Sequence, residues 1–324
     1  MRISKTYPMT RYLLLVLSTV LLLLTTKTLK AQQLSLFTQY RENISVINPA
    51  AMESDFLAFG QNLTIGASYR AQWAGLENAP RTQTVRFSYF NSDASGVALM
   101  AGAHLMNDQT GPTGFTGFYG RIAGVLSSDP EYGGFVVGLS AGAVQYRVNA
   151  SELFVRDAGD VVGTQDQSQI FPDVGVGVYY YQTIGDGNYF YSGLSVPQVA
   201  GLDLTFKNDA GEFLTKRVRH FYGLLGLYKF FDNDSFIEPS LWVKYAPNAP
   251  VNVDVNIRYQ TPGSLWIGTG VSSAKNFHIE TGVLLGDGVD NTFRIGYGFD
   301  YSFTSFGPSA GTTHELNVSF SLDR

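Results

Sequence analysis

The chain has 324 residues, of which 44% are hydrophobic, 14% aromatic and 15% charged, with 35 glycines, no cysteine and a formal net charge of -5. An average soluble domain carries about 25% charged residues. The abundant aromatics exclude a disordered chain, the negative balance excludes a strongly basic nucleic-acid binder, and the missing cysteines exclude thiolate catalysis, Cys-ligated zinc and a disulfide framework.

Arg2, Lys5 and Arg11 form a basic leader without an acidic residue. The apolar run Leu13–Leu24 that follows has 12 residues, interrupted only by Ser18 and Thr19. A spanning helix needs about 20. The run suits the h-region of a signal peptide over residues 1–31, with cleavage after the small residue Ala31. A mature chain starting at Gln32 loses five basic residues and carries a net charge of -10. Residues 32–60 form an N-terminal segment ahead of the first strand.

From there to the C-terminus the sequence alternates with period two, the signature of strands with two unlike faces. The early cases are Leu63/Ile65/Ala67/Tyr69, Val85/Phe87/Tyr89 and Val97/Leu99/Ala101/Ala103/Leu105. Val251, Val253, Val255, Ile257 and Tyr259 then point one way, with Asn252, Asp254, Asn256 and Arg258 pointing the other. Phe293, Ile295, Tyr297, Phe299, Tyr301 and Phe303 alternate with Arg294, Gly296, Gly298 and Asp300, and Leu316, Val318, Phe320 and Leu322 with Glu315, Asn317 and Ser319. Turn signals such as Ser127-Ser128-Asp129-Pro130, Gly185-Asp186-Gly187-Asn188 and Asp232-Asn233-Asp234 punctuate the runs. The polar stretch Ser151–Gln169 reads as a long loop.

These runs number about fourteen, most of them about nine to thirteen residues, matching the length and even count of transmembrane strands. A soluble sandwich also alternates, but its strands are usually shorter. Tyr69, Tyr89, Tyr119, Tyr245, Tyr259 and Tyr301 recur at strand ends, where amphipathic rings suit a headgroup layer. The face opposite the apolar one carries Gly, Ser, Asn, Asp and Arg, a polar lumen and not a dry core. The expected fold is all-β: an up-and-down antiparallel transmembrane barrel of about fourteen strands over residues 61–324. The segment before it is expected in the periplasm or the lumen, where it plugs the barrel or contacts other proteins.

Chemistry is sparse. His104, His220, His278 and His314 form no metal-spacing motif, and no G-x-S-x-G elbow occurs. Gly175-Val176-Gly177 and Gly296-Tyr297-Gly298 are strand glycines suited to curvature or close packing. The aspartate pairs at Asp157–Asp160 and Asp287–Asp290 match no EF-hand loop and read as turns. No catalytic residue, metal or cofactor is expected. Alternation does place Arg70, Arg86, Asp254, Arg258, Arg294, Asp300 and Glu315 away from lipid, as either a stiffening salt-bridge network or an ion path or peptide-docking surface.

Several motifs taken in order resemble a known family. They are Gln39-Tyr40, Asn48-Pro49-Ala50-Ala51, Tyr69-Arg70-Ala71-Gln72-Trp73-Ala74-Gly75, Ala79-Pro80-Arg81-Thr82 and Asn107-Asp108-Gln109-Thr110-Gly111-Pro112. Further on come Gly138-Leu139-Ser140-Ala141-Gly142 with Gln145-Tyr146, Gly193-Leu194-Ser195-Val196-Pro197, Arg219-His220-Phe221-Tyr222, Pro239-Ser240 with Val243-Lys244-Tyr245, Arg294-Ile295-Gly296-Tyr297 and His314-Glu315. The set is similar to the PorP/SprF proteins of the type IX secretion system in Bacteroidota. The resemblance implies a fourteen-stranded outer-membrane barrel without enzymatic activity. It implies a part in export or surface anchoring of large cargo proteins that carry C-terminal sorting domains, gliding adhesins among them. The partners implied are secretion or gliding machinery proteins (a periplasmic ring lipoprotein or a peptidoglycan-linked component), the cargo itself and outer-membrane lipid. Tyr69, Arg70, Gln72 and Trp73 stand out as either a partner contact or an anchor of the barrel rim. The other reading of the same pattern is a diffusion channel for small solutes.

Overall fold

The computed structural model describes residues 37–91, 97–149, 166–185, 187–199, 203–208, 211–216, 218–286, 290–304 and 307–324. The signal-peptide reading lies outside these residues, as do Asp157–Asp160 and most of the acidic loop. Fourteen strands close into an antiparallel barrel. In chain order they begin with β1 (Leu63–Ala71), β2 (Arg81–Asn91), β3 (Val97–Thr110), β4 (Thr113–Leu126), β5 (Gly133–Val148), β6 (Gln167–Ile184) and β7 (Asn188–Val196). A separate two-stranded hairpin, β8 (Asp203–Asn208) and β9 (Gly211–Lys216), follows. The barrel resumes with β10 (Phe221–Phe230), β11 (Phe236–Tyr245), β12 (Asn252–Gln260), β13 (Leu265–Ser272), β14 (Asn276–Gly286), β15 (Asn291–Ser302) and β16 (Thr313–Leu322).

Neighbouring strands are consecutive in sequence except where β7 pairs with β10, leaving the hairpin outside the wall. The seam closes by pairing β1 with β16, from Leu63 opposite Leu322 to Ala71 opposite His314. Closure leaves no free edge, the condition for a sheet to stand in lipid.

Burial runs opposite to that of a soluble protein. Along β2, Val85 and Phe87 are exposed while Thr84, Arg86 and Ser88 are buried. On β4 Ile122 is 66% exposed, whereas its neighbour Arg121 is 4% exposed. An apolar outer belt around a polar interior is the inversion a bilayer solvent imposes. Tyr69, Tyr245, Tyr259 and Tyr301 all face out, so the strand-end aromatics sit where the alternation put them.

Three details depart from expectation. Tyr119 faces the lumen, because Phe118 and Ile122 set the outward phase of β4; its hydroxyl donates to Asp173 Oδ2 at 2.8 Å and its ring stacks on His104. Strands β5 and β6 reach 16 and 18 residues, beyond the expected range. The end of the presumed loop is already paired sheet, with Gln167 opposite Val148 and Gln169 opposite Tyr146.

Candidate functional site

The lumen is occupied by the chain itself. Residues 37–57 are buried without a break inside the barrel, ahead of β1. Two short helical pieces shape this plug, Ile44–Ile47 and Ser54–Phe59. The second stops at Gly60, whose φ of 75° is the left-handed position that glycine takes without strain. That stop turns the chain toward β1.

The Asn48-Pro49-Ala50 stretch rests in a trough of glycines. The Asn48 Oδ1 accepts the Ala50 N–H at 2.9 Å, a local turn that asparagine favours, while its Nδ2 donates to the Val178 carbonyl at 3.1 Å. A methyl group at Gly138 would lie 2.5 Å from the Ala50 nitrogen, and one at Gly177 would collide with the Asn48 side chain. On the opposite wall, side chains at Gly296 or Gly298 would strike Gln39 and Thr38. The strand glycines are therefore the floor on which the plug's backbone lies.

Charge secures the middle of the plug. Glu42 lies 2.7 Å from Arg294 Nη1 and 3.1 Å from Arg258 Nη1, with Arg86 at 3.9 Å. Arg258 also reaches Glu238 at 3.0 Å, and Glu238 meets Arg41 of the plug at 3.2 Å. Arg41 pairs with Glu280, and Asp55 pairs with Arg294. Glu53 joins Arg121 at 3.4 Å and Arg86 at 3.8 Å. These pairs connect into one buried network. The wall gives it four guanidinium groups and two carboxylates, and the plug one guanidinium and three carboxylates, so each side meets an opposite excess of charge. Glu42 belongs to the plug, not to a spanning strand. Burial alone would raise its carboxyl, but Arg294, Arg258, Arg86 and Arg41 together hold it well below the usual range.

A second cluster sits at one mouth. Arg70 Nη2 donates to Asp300 Oδ2 at 2.9 Å and its Nη1 to Gln72 Oε1 at 2.8 Å. The Thr38 N–H donates to Glu315 Oε2 at 2.7 Å and its hydroxyl to Asp300 Oδ2 at 2.7 Å. Lys244 and Asp254 pair at 2.5 Å across the same opening. Aromatic groups complete the hold: Tyr40 stacks on Trp242 at 4.5 Å while its hydroxyl meets Ser240 at 2.5 Å, and Phe56 stands edge-on to Phe90 and Tyr181.

The residues singled out by sequence divide between these places. Arg86, Arg258 and Arg294 lie in the central network, while Asp254, Asp300 and Glu315 lie at the mouth with Arg70 and Gln72. Tyr69 faces outward at 41% exposure. Trp73 follows the strand in a left-handed turn with φ 54°, its N–H donating to Thr313 Oγ1 at 3.2 Å. Sequence reading missed Arg121, Glu238 and Glu280 on the wall and Arg41, Glu42, Glu53 and Asp55 on the plug, and took Lys244 only as part of a motif, not as a luminal charge. The wall residues had a signal, since each sits at an inward position next to at least one outward apolar residue, Ile122, Ile237, Val243 or Ile279. The plug residues had none, because their segment has no period. Among the described residues no cluster of metal-ligating side chains occurs. What the arrangement does chemically is bind a segment of its own chain.

The family model described as type IX secretion system membrane protein PorP/SprF matches residues 29–320. No curated protein matches the chain significantly. Among solved structures, a TodX monoaromatic hydrocarbon channel mutant aligns with 11% identity and a TM-score of 0.52, over 87% of this chain and 94% of that one. The Pseudomonas putida toluene transporter TodX aligns with 10% identity and a TM-score of 0.52, over 91% and 96%. At this identity the likeness is one of fold.

Proposed function

The chain belongs to the PorP/SprF family of type IX secretion system membrane proteins, and from that membership we propose that it is a plugged outer-membrane barrel working through protein contacts. In this reading it is not an enzyme. It supports export or surface anchoring of large cargo proteins with C-terminal sorting domains, such as gliding adhesins, together with ring or peptidoglycan-linked components of the machine. The observation that carries the reading is the plug itself, fixed along its length by ion pairs, hydrogen bonds and the glycine trough. A lumen so filled leaves no route for a folded protein, so the barrel's contribution is to hold or dock other proteins.

The test compares surface and medium proteomes of the parent strain and a strain lacking this gene. Loss of one or a few proteins with sorting domains marks a dedicated partner, and loss of all of them marks a core component. Retention of every such protein, with steady conductance of the purified chain in planar bilayers, would replace this reading with a small-solute channel.

A further inference from the structure

The plug has a direction. It leaves the lumen where β1 begins and β16 finishes: Gln61 Nε2 donates to Thr292 Oγ1 at 2.9 Å, and Ser321 Oγ donates to Asp55 Oδ2 at 2.6 Å. Its first described residues stand at the opposite end. There Thr38 bonds Asp300, and Phe37, Thr38 and Tyr40 line a polar vestibule of about 60 Å³ with Lys244, Asn252 and Asp254. Asp300 pairs with Thr313, the first residue of β16, which fixes this as the end remote from Leu63 and Leu322.

The two ends also differ in their connections. At the Leu63 end, residues 127–132, 185–187, 231–235 and 261–264 join the strands. At the Phe37 end the links 111–112, 246–251 and 273–275 are also short, but all the long ones are there too, residues 72–80, 149–166, 197–220 and 303–312. Outer-membrane barrels keep short turns in the periplasm and longer loops outside the cell. We infer that the leading end of the plug stands at the cell-surface mouth, so that the chain starts outside, runs inward through the lumen and enters β1 from the periplasmic side. The inference rests on the outer-membrane reading given above. With cleavage after Ala31, only residues 32–36 precede Phe37. Five residues span at most about 18 Å even when fully extended, less than an apolar band about 25 Å tall, so a chain cleaved there is too short to return across the height of the wall. A protein outside the cell can reach the leading end of the plug without entering the barrel.

The chain holds no cysteine, so single substitutions report cleanly. Ser35→Cys, Glu77→Cys in the β1–β2 link and Asp232→Cys in the β10–β11 link are each treated on intact cells with a membrane-impermeant maleimide, then again after permeabilisation. The expected result is labelling of Ser35→Cys and Glu77→Cys on intact cells, and of Asp232→Cys only after permeabilisation. Labelling of Glu77→Cys outside with Ser35→Cys silent until permeabilisation would overturn the inference while leaving the barrel in the outer membrane. Labelling of Asp232→Cys in place of Glu77→Cys would reverse the orientation and overturn it as well. If all three label only after permeabilisation, the outer-membrane reading fails first and takes the inference with it.

Discussion

Strands β2, β4, β12, β14 and β15 meet the plug with guanidinium and carboxylate groups, whereas β6, β7, β10 and β11 meet it largely with rings. On the ringed side Tyr179, Tyr181, Tyr191, Tyr222, Tyr228, Phe236 and Trp242 are all buried, and Tyr191 to Tyr228 and Tyr222 to Trp242 pack within 6 Å. The border is Glu238 on β11, which pairs with Arg41 and Arg258 and accepts the Tyr191 hydroxyl at 2.7 Å. The two sides do different physical work. Buried aromatic surface is favourable wherever it packs. A buried ion pair roughly breaks even against desolvation, yet losing one partner is severe. The ringed side therefore supplies cohesion, and the ionic side fixes which residue of the plug sits where.

The sharpest test of that division is Glu42→Gln, which leaves Arg86, Arg258 and Arg294 short of their shared anion. The expected loss is about 3–5 kcal/mol, read as a lower urea midpoint of the detergent-solubilised barrel by tryptophan fluorescence. A loss under about 1 kcal/mol, the size of an exposed pair, would break the comparison. The same contrast has a pH signature. The carboxyl of Glu42 is depressed in the folded chain, so its contribution is complete above the unfolded glutamate value, about 4.3, and is lost as pH falls through the depressed value. Parent and Glu42→Gln midpoints should differ most at neutral pH and converge only in strong acid.

Gly138→Ala comes next in size, its new methyl meeting plug backbone that cannot swing aside as a flexible side chain would. Overpacking of that kind costs about 1–3 kcal/mol, and the loosened plug should appear as raised conductance in planar bilayers. Tyr40→Phe keeps the ring on Trp242 and removes the hydroxyl's bonds to Ser240 and to the Asn256 Nδ2 that donates to it at 3.4 Å, for about 0.5–1.5 kcal/mol by the same urea assay. Trp73→Ala lies outside both sides of the lumen. An unchanged barrel level in membranes with lost surface display of cargo would mark Trp73 as a partner contact; loss of the barrel itself would mark it as a rim anchor.

The wall was legible because lipid and lumen impose opposite demands on alternate residues, as Val255, Ile257 and Tyr259 against Asp254 and Arg258 show. That alternation gives the strand count and places Arg86 and Arg294 inside. The purpose of those charges was not legible. Their partners Glu42, Glu53 and Asp55 lie in a stretch whose shape comes from the cavity around it, so no local pattern marks them. Tyr119 shows the same limit on the wall: a ring near a strand end reads as a girdle residue until the phase of its neighbours Phe118 and Ile122 is counted.

One contact has a kinetic consequence. The Thr38 N–H reaches Glu315 across 277 residues of sequence, and Glu315 sits on β16, whose pairing with β1 closes the barrel. Seating the front of the plug and closing the seam therefore draw on the same strand: without β16, the Thr38 and Gln39 N–H groups have no Glu315 carboxylate to bind. Contacts so distant in sequence make assembly slow, and this one ties the last strand of the wall to the first described residues of the plug.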